Sequence, residues 1–250
     1  MCFSYSINLS AQSLQSKLNL TEIHIPTPGF FFSGFMHPRL PVIVGETNGS
    51  LPNIASEHGC LLKSSLMQWG LLPSWLRDVQ KAEEMMVYGL NARAESINEK
   101  PMFRDAWKHQ PCLVPASGFF EWKTIGKKKE PYYIYGAESE FILFAGIYSS
   151  WIHPETAEEI KSYSIITTEA NQLLSEIHNT KKRMPVIIEP EKAESYLTGC
   201  VESRVKMLKS CSDGYLKAHR VSPLASNTRV NRNVVSVLQP FSEDYSQTLF

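Results

Sequence analysis

The chain has 250 residues, of which 43% are hydrophobic and 20% charged, and its 25 basic and 25 acidic side chains cancel at neutral pH. These values are typical of one globular domain with a sizeable core. Zero net charge argues against broad electrostatic coating of duplex nucleic acid, but a local basic groove is compatible with it.

Targeting signals and metal motifs are missing from the sequence. The N-terminus lacks the basic and apolar regions of a signal peptide, and no apolar run approaches the ~20 residues that span a bilayer. We therefore expect a cytoplasmic protein without a membrane contact, a cofactor, a bound metal or an obligate protein partner. The odd number of cysteines, none with zinc-site or disulfide spacing, agrees with a reducing compartment; they are Cys2, Cys60, Cys112, Cys200 and Cys211.

Hydrophobic periodicity and turn residues predict a chain rich in strands. In chain order we predict helix Ser10–Leu18, strands Pro41–Glu46 and Leu62–Trp69, helix Pro73–Met85, strands Cys112–Pro115, Phe119–Lys123, Tyr132–Tyr135, Phe141–Tyr148 and Tyr163–Thr167, helix Asn171–Ile177, strand Pro185–Ile188, helices Pro190–Leu197 and Val201–Ser210, and strand Leu216–Val221.

The order of these elements predicts the fold class. Strands outnumber helices and do not alternate with them as βαβ units, so we expect a single α+β domain with a mostly antiparallel, barrel-like sheet and peripheral helices. The domain would cover residues 1–250, with the motifs between about 2 and 231 and a C-terminal tail at 232–250. A basic hairpin turn is predicted between Lys123 and Lys129.

Cys2 directly follows the initiator Met1. Removal of the methionine would leave an α-amine and a thiol on one residue, a pair that condenses with an aldehyde to a Schiff base and then closes to a thiazolidine. Both groups have reactive fractions near neutral pH, because their ordinary pKa values are ≈ 7.7–8.0 and ≈ 8.5. The alternative is that Cys2 is only the first buried residue of an N-terminal strand.

Four further segments are unusual for a plain core: Gln68–Trp75; Leu90–Ser96, followed by Arg104; Ala116–Lys123; and His178 with Arg183-Met-Pro. With Cys2, they carry the ordered motifs W-G-L-x-P-x-W, N-A-R-x-E, G-F-x-E-W and H…R-M-P. The chain therefore resembles the SOS-response-associated peptidase family of abasic-site processing proteins. The resemblance extends from Cys2 to about Asn231.

The resemblance implies a protein that binds single-stranded DNA containing abasic sites and bonds covalently to the abasic aldehyde through Cys2, with associated autopeptidase and lyase activities. It implies a catalytic set of Cys2, Asn91, Glu121 and His178. Glu121 would carry protons for the amine and aldehyde chemistry, with its pKa raised by desolvation. His178 would be a second acid or base, and Asn91 would orient the cysteine amine and the sugar. The alternatives are a solvated Glu121 beside Lys123, a His178 that only caps a helix, and an Asn91 that only forms a turn.

For DNA binding the resemblance indicates base stacking by exposed aromatic residues and phosphate contacts by arginines. The candidates are Trp69, Trp75, Arg93, Arg104, Arg183 and Pro38. Two departures from the family pattern concern this surface: Phe32–Pro38 lacks the usual asparagine, and the loop between His178 and Arg183 is longer than in the compact form H-x-R-M-P.

Two rival functions stay open from the residues alone. One is an N-terminal-nucleophile amidohydrolase that attacks a small amide with the Cys2 thiolate. The other is a binding module in which Cys2 is inert. Interleaved aromatic and basic residues favour the DNA-directed function over the first rival, and retention of Met1 would favour the second.

Overall fold

The structure, a computed structural model, describes residues 2–23, 28–46 and 61–241. Its strands are β1 Ser4–Ile7, β2 Leu20–Glu22, β3 Gly29–Ser33, β4 Arg39–Glu46, β5 Leu61–Trp69, β6 Asn91–Arg93, β7 Pro111–Ala116, β8 Gly118–Ile125, β9 Lys128–Gly136, β10 Ile142–Ile152, β11 Glu159–Glu169, β12 Arg183–Pro185, β13 Ile187–Ile188 and β14 Leu216–Arg220. Its α-helices are α1 Ala11–Leu18, α2 Val79–Met86, α3 Arg104–His109, α4 Gln172–Ile177, α5 Ala193–Thr198 and α6 Val201–Val205. Within those ranges, no helix is long and apolar enough to cross a membrane.

One sheet closes into a five-stranded barrel. Strands β11, β10, β7, β4 and β5 are antiparallel neighbours, and β5 returns to β11 through a short parallel seam that pairs Gln68 with Ser162 and Trp69 with Tyr163. Closure removes exposed strand edges. The α+β expectation with a mostly antiparallel, barrel-like sheet is confirmed.

A second sheet, in the order β14-β9-β8-β1-β3, covers the barrel. Side chains alternate along β8, so its two faces enter different apolar clusters. Phe119 packs edge-on against Phe144 of the barrel at 5.7 Å between ring centroids, whereas Phe120 packs against Phe31 and Tyr133. The barrel-facing side of β8 also carries Glu121, so the sheet delivers this carboxyl group to the interior.

The outer face of the second sheet is covered by the end of the described chain. The side-chain oxygen of Asn233 accepts hydrogen bonds from the backbone N–H groups of Phe30 (2.6 Å) and Phe31 (3.2 Å). Val237 is fully buried against the same sheet. Residues 232–241 of the predicted tail therefore pack on the domain, and residues 242–250 lie outside the described ranges.

Local interactions explain why some observed helices are shorter than the predicted ones. The side chain of Asp78 accepts the N–H of Lys81 at 3.0 Å, and this N-cap starts α2 at Val79 rather than at Pro73. The predicted helix from Pro190 divides into a 3₁₀ turn and α5, and the one from Val201 ends at Val205.

Two short elements also differ from the sequence prediction. Helix α3 was missed because Phe103 at its N-cap forms no side-chain capping bond and gives no sequence signal. The strand predicted at Pro185–Ile188 is divided into β12, which pairs with β11, and β13, which pairs with β10. The predicted hairpin turn is present between β8 and β9, with Gly126 at a φ of 59° that favours glycine.

Candidate active site around Cys2

Cys2 is fully buried just before β1, at the junction of the two sheets. Its thiol contacts the carbonyl oxygen of Ser4 at 3.8 Å. The side-chain amide of Asn91, at the start of β6, donates to the carbonyl oxygen of Cys2 at 2.9 Å. The amide oxygen of Asn91 is itself buried and accepts no hydrogen bond from any described residue. Asn91 thus fixes the backbone of Cys2 while keeping one acceptor for a further donor.

Glu121 lies on the barrel-facing side of β8, and only 3% of the residue is exposed. This burial excludes a solvated carboxylate beside Lys123. Because a buried carboxylate loses the solvation of its charge, burial raises the pKa of Glu121 from 4.5 to about 7. Protonated and ionised forms therefore coexist near neutral pH, as proton transfer in both directions requires.

His178 follows α4 as its C-cap and is also buried. Its Nδ1 lies 2.9 Å from the carbonyl oxygen of Arg183 and 4.0 Å from Oε1 of Glu121. A carbonyl only accepts, so Nδ1 carries the proton and the lone pair of the neutral ring lies on Nε2. Burial also lowers the pKa of His178, which favours this neutral form.

The Cys2 thiol is held in its protonated form. Burial raises the pKa of Cys2, and the charge of the nearby Glu121 raises it further. The buried residues Cys2, Glu121 and His178 and the part-buried Asn91 thus form one cluster, although they are far apart in the sequence. A neutral thiol beside a carboxyl group with a pKa near 7 suits proton exchange better than attack by a preformed thiolate.

Arg183 is buried at the base of the same loop and faces inward. Its guanidinium group binds the Glu95 carboxylate through two hydrogen bonds of 2.7 and 2.9 Å, and it also donates to the backbone oxygen of Thr167 at 2.7 Å. In this geometry the fork of the guanidinium is occupied by Glu95. The phosphate contact of Arg183 stays a prediction, and DNA would have to share or replace this pairing. Glu95 and Thr167 were missed as its partners, since 88 and 16 residues separate them from Arg183 along the chain.

The two tryptophans of the first motif have different surroundings. Trp69 is fully buried, donates to the backbone oxygen of Leu90 at 3.0 Å and stacks on Tyr163. Neither face of the Trp69 ring reaches solvent in this structure, so its stacking on a DNA base stays a prediction that this packing does not favour. Trp75 is 47% exposed and lines a cleft beside Pro101 and α3.

The divergent segment Phe32–Pro38 lies next to Cys2. The backbone N–H of Gly34 donates to the carbonyl oxygen of Phe3 at 2.9 Å, and Phe35 packs on Phe3 with ring centroids 5.1 Å apart. Phe35 and Met36 are nevertheless exposed. Pro38 accepts the backbone N–H of Trp69 at 3.0 Å. This segment therefore presents apolar side chains beside the buried cluster.

The remaining predicted DNA contacts are exposed arginines. Arg93 lies in β6, two residues beyond Asn91. Arg104 begins α3, where its Nε is 3.6 Å from the carboxylate of Asp105. Arg93 is thus close to Asn91 along the chain, and Arg104 directly precedes Asp105, which lines the cleft of Trp75.

A family model described as SOS response associated peptidase (SRAP) matches residues 1–228. The chain belongs to the SRAP family. It is 32% identical over 236 residues to the abasic site processing protein YoqW of Bacillus subtilis, an alignment that covers 92% of this chain and 96% of YoqW. It is 33% identical over 229 residues to the abasic site processing protein YMR114C of Saccharomyces cerevisiae, covering 84% of this chain and 60% of that protein.

SRAP membership agrees with the similarity to solved structures. A crystal structure of a protein from Bacteroides thetaiotaomicron superposes with a TM-score of 0.84 at 30% identity, covering 96% of this chain and 100% of that one. A protein from Bordetella bronchiseptica has the same fold, with a TM-score of 0.72 at 21% identity over 88% of this chain and 100% of that one.

Proposed function

We propose that this SRAP protein processes abasic sites in DNA, and that it captures the abasic aldehyde in single-stranded DNA covalently through Cys2 after removal of Met1. The names of the relatives support the substrate class. The observation that carries the mechanism is the burial of Glu121, with a pKa of about 7, in one cluster with Cys2, Asn91 and His178.

The first bond joins the α-amine of Cys2 to C1 of the ring-opened sugar. Amine attack gives a carbinolamine, whose hydroxyl must be protonated to leave as water. Protonated Glu121 supplies that proton, and the product is an iminium ion. The Cys2 sulfur then attacks the iminium carbon, the thiol proton passes to the Glu121 carboxylate, and a thiazolidine ring closes. One water is lost overall and no oxidant or reductant is needed.

The protonation state of Cys2 favours this order of steps. Because the raised pKa keeps the thiol neutral, the amine attacks first and the thiol closes the ring. The unprotonated Nε2 of His178 would accept a proton from a sugar hydroxyl, so His178 would assist ring opening or, in a lyase reaction, proton abstraction for β-elimination. The free oxygen of Asn91 would accept from the Cys2 amine or the sugar.

DNA would lie along the exposed residues that border the cluster. We assign base stacking to Phe35 beside Cys2 and to Trp75 in its cleft, because both rings are accessible. Arg93 and Arg104 would contact phosphates, and Pro38 would shape the segment that carries Phe35. Unpaired bases next to the lesion would bind these rings, so single-stranded DNA is the expected form of the substrate.

The amidohydrolase alternative has less support. A cysteine nucleophile of that class is activated by a lowered thiol pKa or an adjacent base. Here burial raises the thiol pKa, and the nearest acid has a charge that raises it further. Family membership through residues 1–228 also favours the DNA substrate over a small amide.

Covalent capture can be tested with protein lacking Met1 and a single-stranded oligonucleotide that contains one abasic site. Wild-type protein should give a shifted band on a denaturing gel without borohydride. Cys2→Ala keeps the amine but cannot close the ring, so its adduct should need borohydride reduction to persist. A stable adduct of Cys2→Ala without reduction would exclude the thiazolidine, and no adduct with wild-type protein would exclude covalent capture.

A further inference from the structure

The longer loop between His178 and Arg183 is fixed to the strand that carries Glu121. The side chain of Asn179 accepts the backbone N–H of Thr124 at 3.1 Å and donates to the backbone oxygen of Thr124 at 2.9 Å. These two bonds give Thr124 a side-chain partner in addition to its pairing with Lys129 of β9. The loop is also closed on itself, since the N–H of Lys182 donates to the carbonyl oxygen of His178 at 2.8 Å.

This anchor joins two groups of lysines into one surface. The loop contributes Lys181 and Lys182, both exposed, directly after Asn179 and Thr180. Asn179 binds Thr124 of β8, and the hairpin that β8 forms with β9 contributes four more lysines. We call five of these residues the lysine track and leave out Lys129, which lies opposite Thr124 on the other face of the hairpin; the five are Lys123, Lys127, Lys128, Lys181 and Lys182.

The lysine track begins at the active site. Lys123 lies two residues after Glu121 on the same face of β8, and Lys128 lies opposite Ile125, further out on that face. Burial is the main cause of the lowered pKa of His178. The ammonium charge of Lys181, on the same loop, is near enough to lower it further. The track therefore leads from Glu121 and His178 outward to the hairpin tip.

Few acidic side chains offset this charge. In the described ranges, none of the five lysines forms an ion pair with a carboxylate. Glu130, which is opposite Lys123 in the hairpin, is bound by Arg220 at 3.2 Å. Glu176 lies on the exposed side of α4. In a chain with no net charge, this is a local concentration of cations that a phosphate backbone fits.

We propose that the lysine track binds the sugar–phosphate backbone of one arm of the single strand, on one side only of the captured abasic site, and that Asn179 positions Lys181 for this contact. The inference rests on the proposed function for the location of the abasic site. It gives the longer loop a role separate from that of Arg183, whose guanidinium group is bound to Glu95 in this structure.

The test uses equilibrium binding of single strands with a tetrahydrofuran abasic analogue, which has no aldehyde and cannot crosslink. One oligonucleotide has all its flanking nucleotides 5′ to the analogue, and the other has them all 3′. Affinity is measured by fluorescence anisotropy over a salt series. The variant is Lys128→Gln with Lys181→Gln, which leaves Lys123 beside Glu121 untouched. The matched control is Lys206→Gln with Lys209→Gln, two exposed lysines near α6.

The lysine track predicts a lower salt slope for one of the two strands, by about 1.4 for two contacts at ~0.7 each in single strands, and no change for the other strand or the control. Asn179→Ala, which keeps every charge, should lower the slope for that same strand. An unchanged slope, an equal loss with both strands, or an equal loss in the control would overturn the proposal.

Failure of the two proposals can be told apart. Crosslinking of a short oligonucleotide with an authentic abasic site needs only the cluster around Cys2. Absence of that crosslink in wild-type protein would contradict covalent capture and leave the salt-slope result intact. Normal crosslinking with unchanged slopes would contradict only the lysine track.

Discussion

Glu121 and Glu95 both belong to motifs of the SRAP family, yet the protein shifts their pKa values in opposite directions. Glu121 is buried, and loss of solvation raises its pKa to about 7. For the half-exposed Glu95, partial burial would raise the pKa, but the hydrogen bonds and charge of Arg183 outweigh it and the net direction is down. The comparison separates a carboxyl group that exchanges protons from one that holds the structure together.

The largest expected effect concerns the rate of capture. Glu121→Gln keeps the size of the side chain but cannot carry a proton, so crosslinking should slow by about 10²–10⁴-fold. Single-turnover kinetics with protein lacking Met1 would measure it. The matched control is Glu95→Gln, whose rate per folded molecule should stay close to that of wild type. A similar loss in both variants would remove the distinction between the two glutamates.

The same substitution should change stability with pH. A raised pKa means that the folded protein binds the Glu121 proton more tightly than the unfolded chain, so wild-type stability falls as the pH rises from 4.5 towards 7. Glu121→Gln has no such cost. The difference in the free energy of unfolding between Glu121→Gln and wild type should therefore shift in favour of the variant as the pH rises from 5 to 8. For a pKa moved from 4.5 to about 7, the full shift is about 3 kcal/mol.

Urea unfolding of both proteins at the two pH values would measure this difference. A stability gap that does not grow with pH would show that the carboxyl group of Glu121 is not desolvated in the folded protein.

The Arg183–Glu95 pair should give a smaller and asymmetric effect on stability. The Glu95 side chain is 48% exposed and that of Arg183 only 10%, so losing the carboxylate leaves a buried cation without its counterion. Glu95→Gln should cost about 1–3 kcal/mol. Arg183→Met should cost less, because Glu95 can be solvated. Urea unfolding at pH 7 would rank the variants, and the reverse ranking would contradict a structural role for Glu95.

Local patterns in the sequence predicted most of the barrel and the residues of the cluster. Strand β5 alternates between buried and more exposed positions, whereas β10 and β11 have long stretches that are buried on both faces. The motifs located Cys2, Asn91, Glu121 and His178. Burial of individual side chains was less predictable, because alternation in β8 puts Glu121 on one face without saying that this face is covered.

Partners distant in the chain were not predictable from local pattern. The Arg183–Glu95 pair joins residues 88 positions apart, and no periodicity indicates it. Trp69 and Trp75 belong to one motif, but the parallel seam of the barrel buries the first and leaves the second exposed. Asn179 marked a departure from the family pattern, and only the fold shows that it binds Thr124.

The most direct test of the central claim is the pH dependence of covalent capture from pH 5 to pH 9, compared between wild type and Glu121→Gln, both lacking Met1. The reaction needs a neutral amine, with an ordinary pKa of ≈ 7.7–8.0, together with a protonated Glu121. Wild type should therefore show a maximum between about pH 7 and 8, with the rate falling above it. Glu121→Gln should instead rise to a plateau. A falling alkaline limb in both proteins, or in neither, would contradict the assignment of Glu121 as the proton carrier.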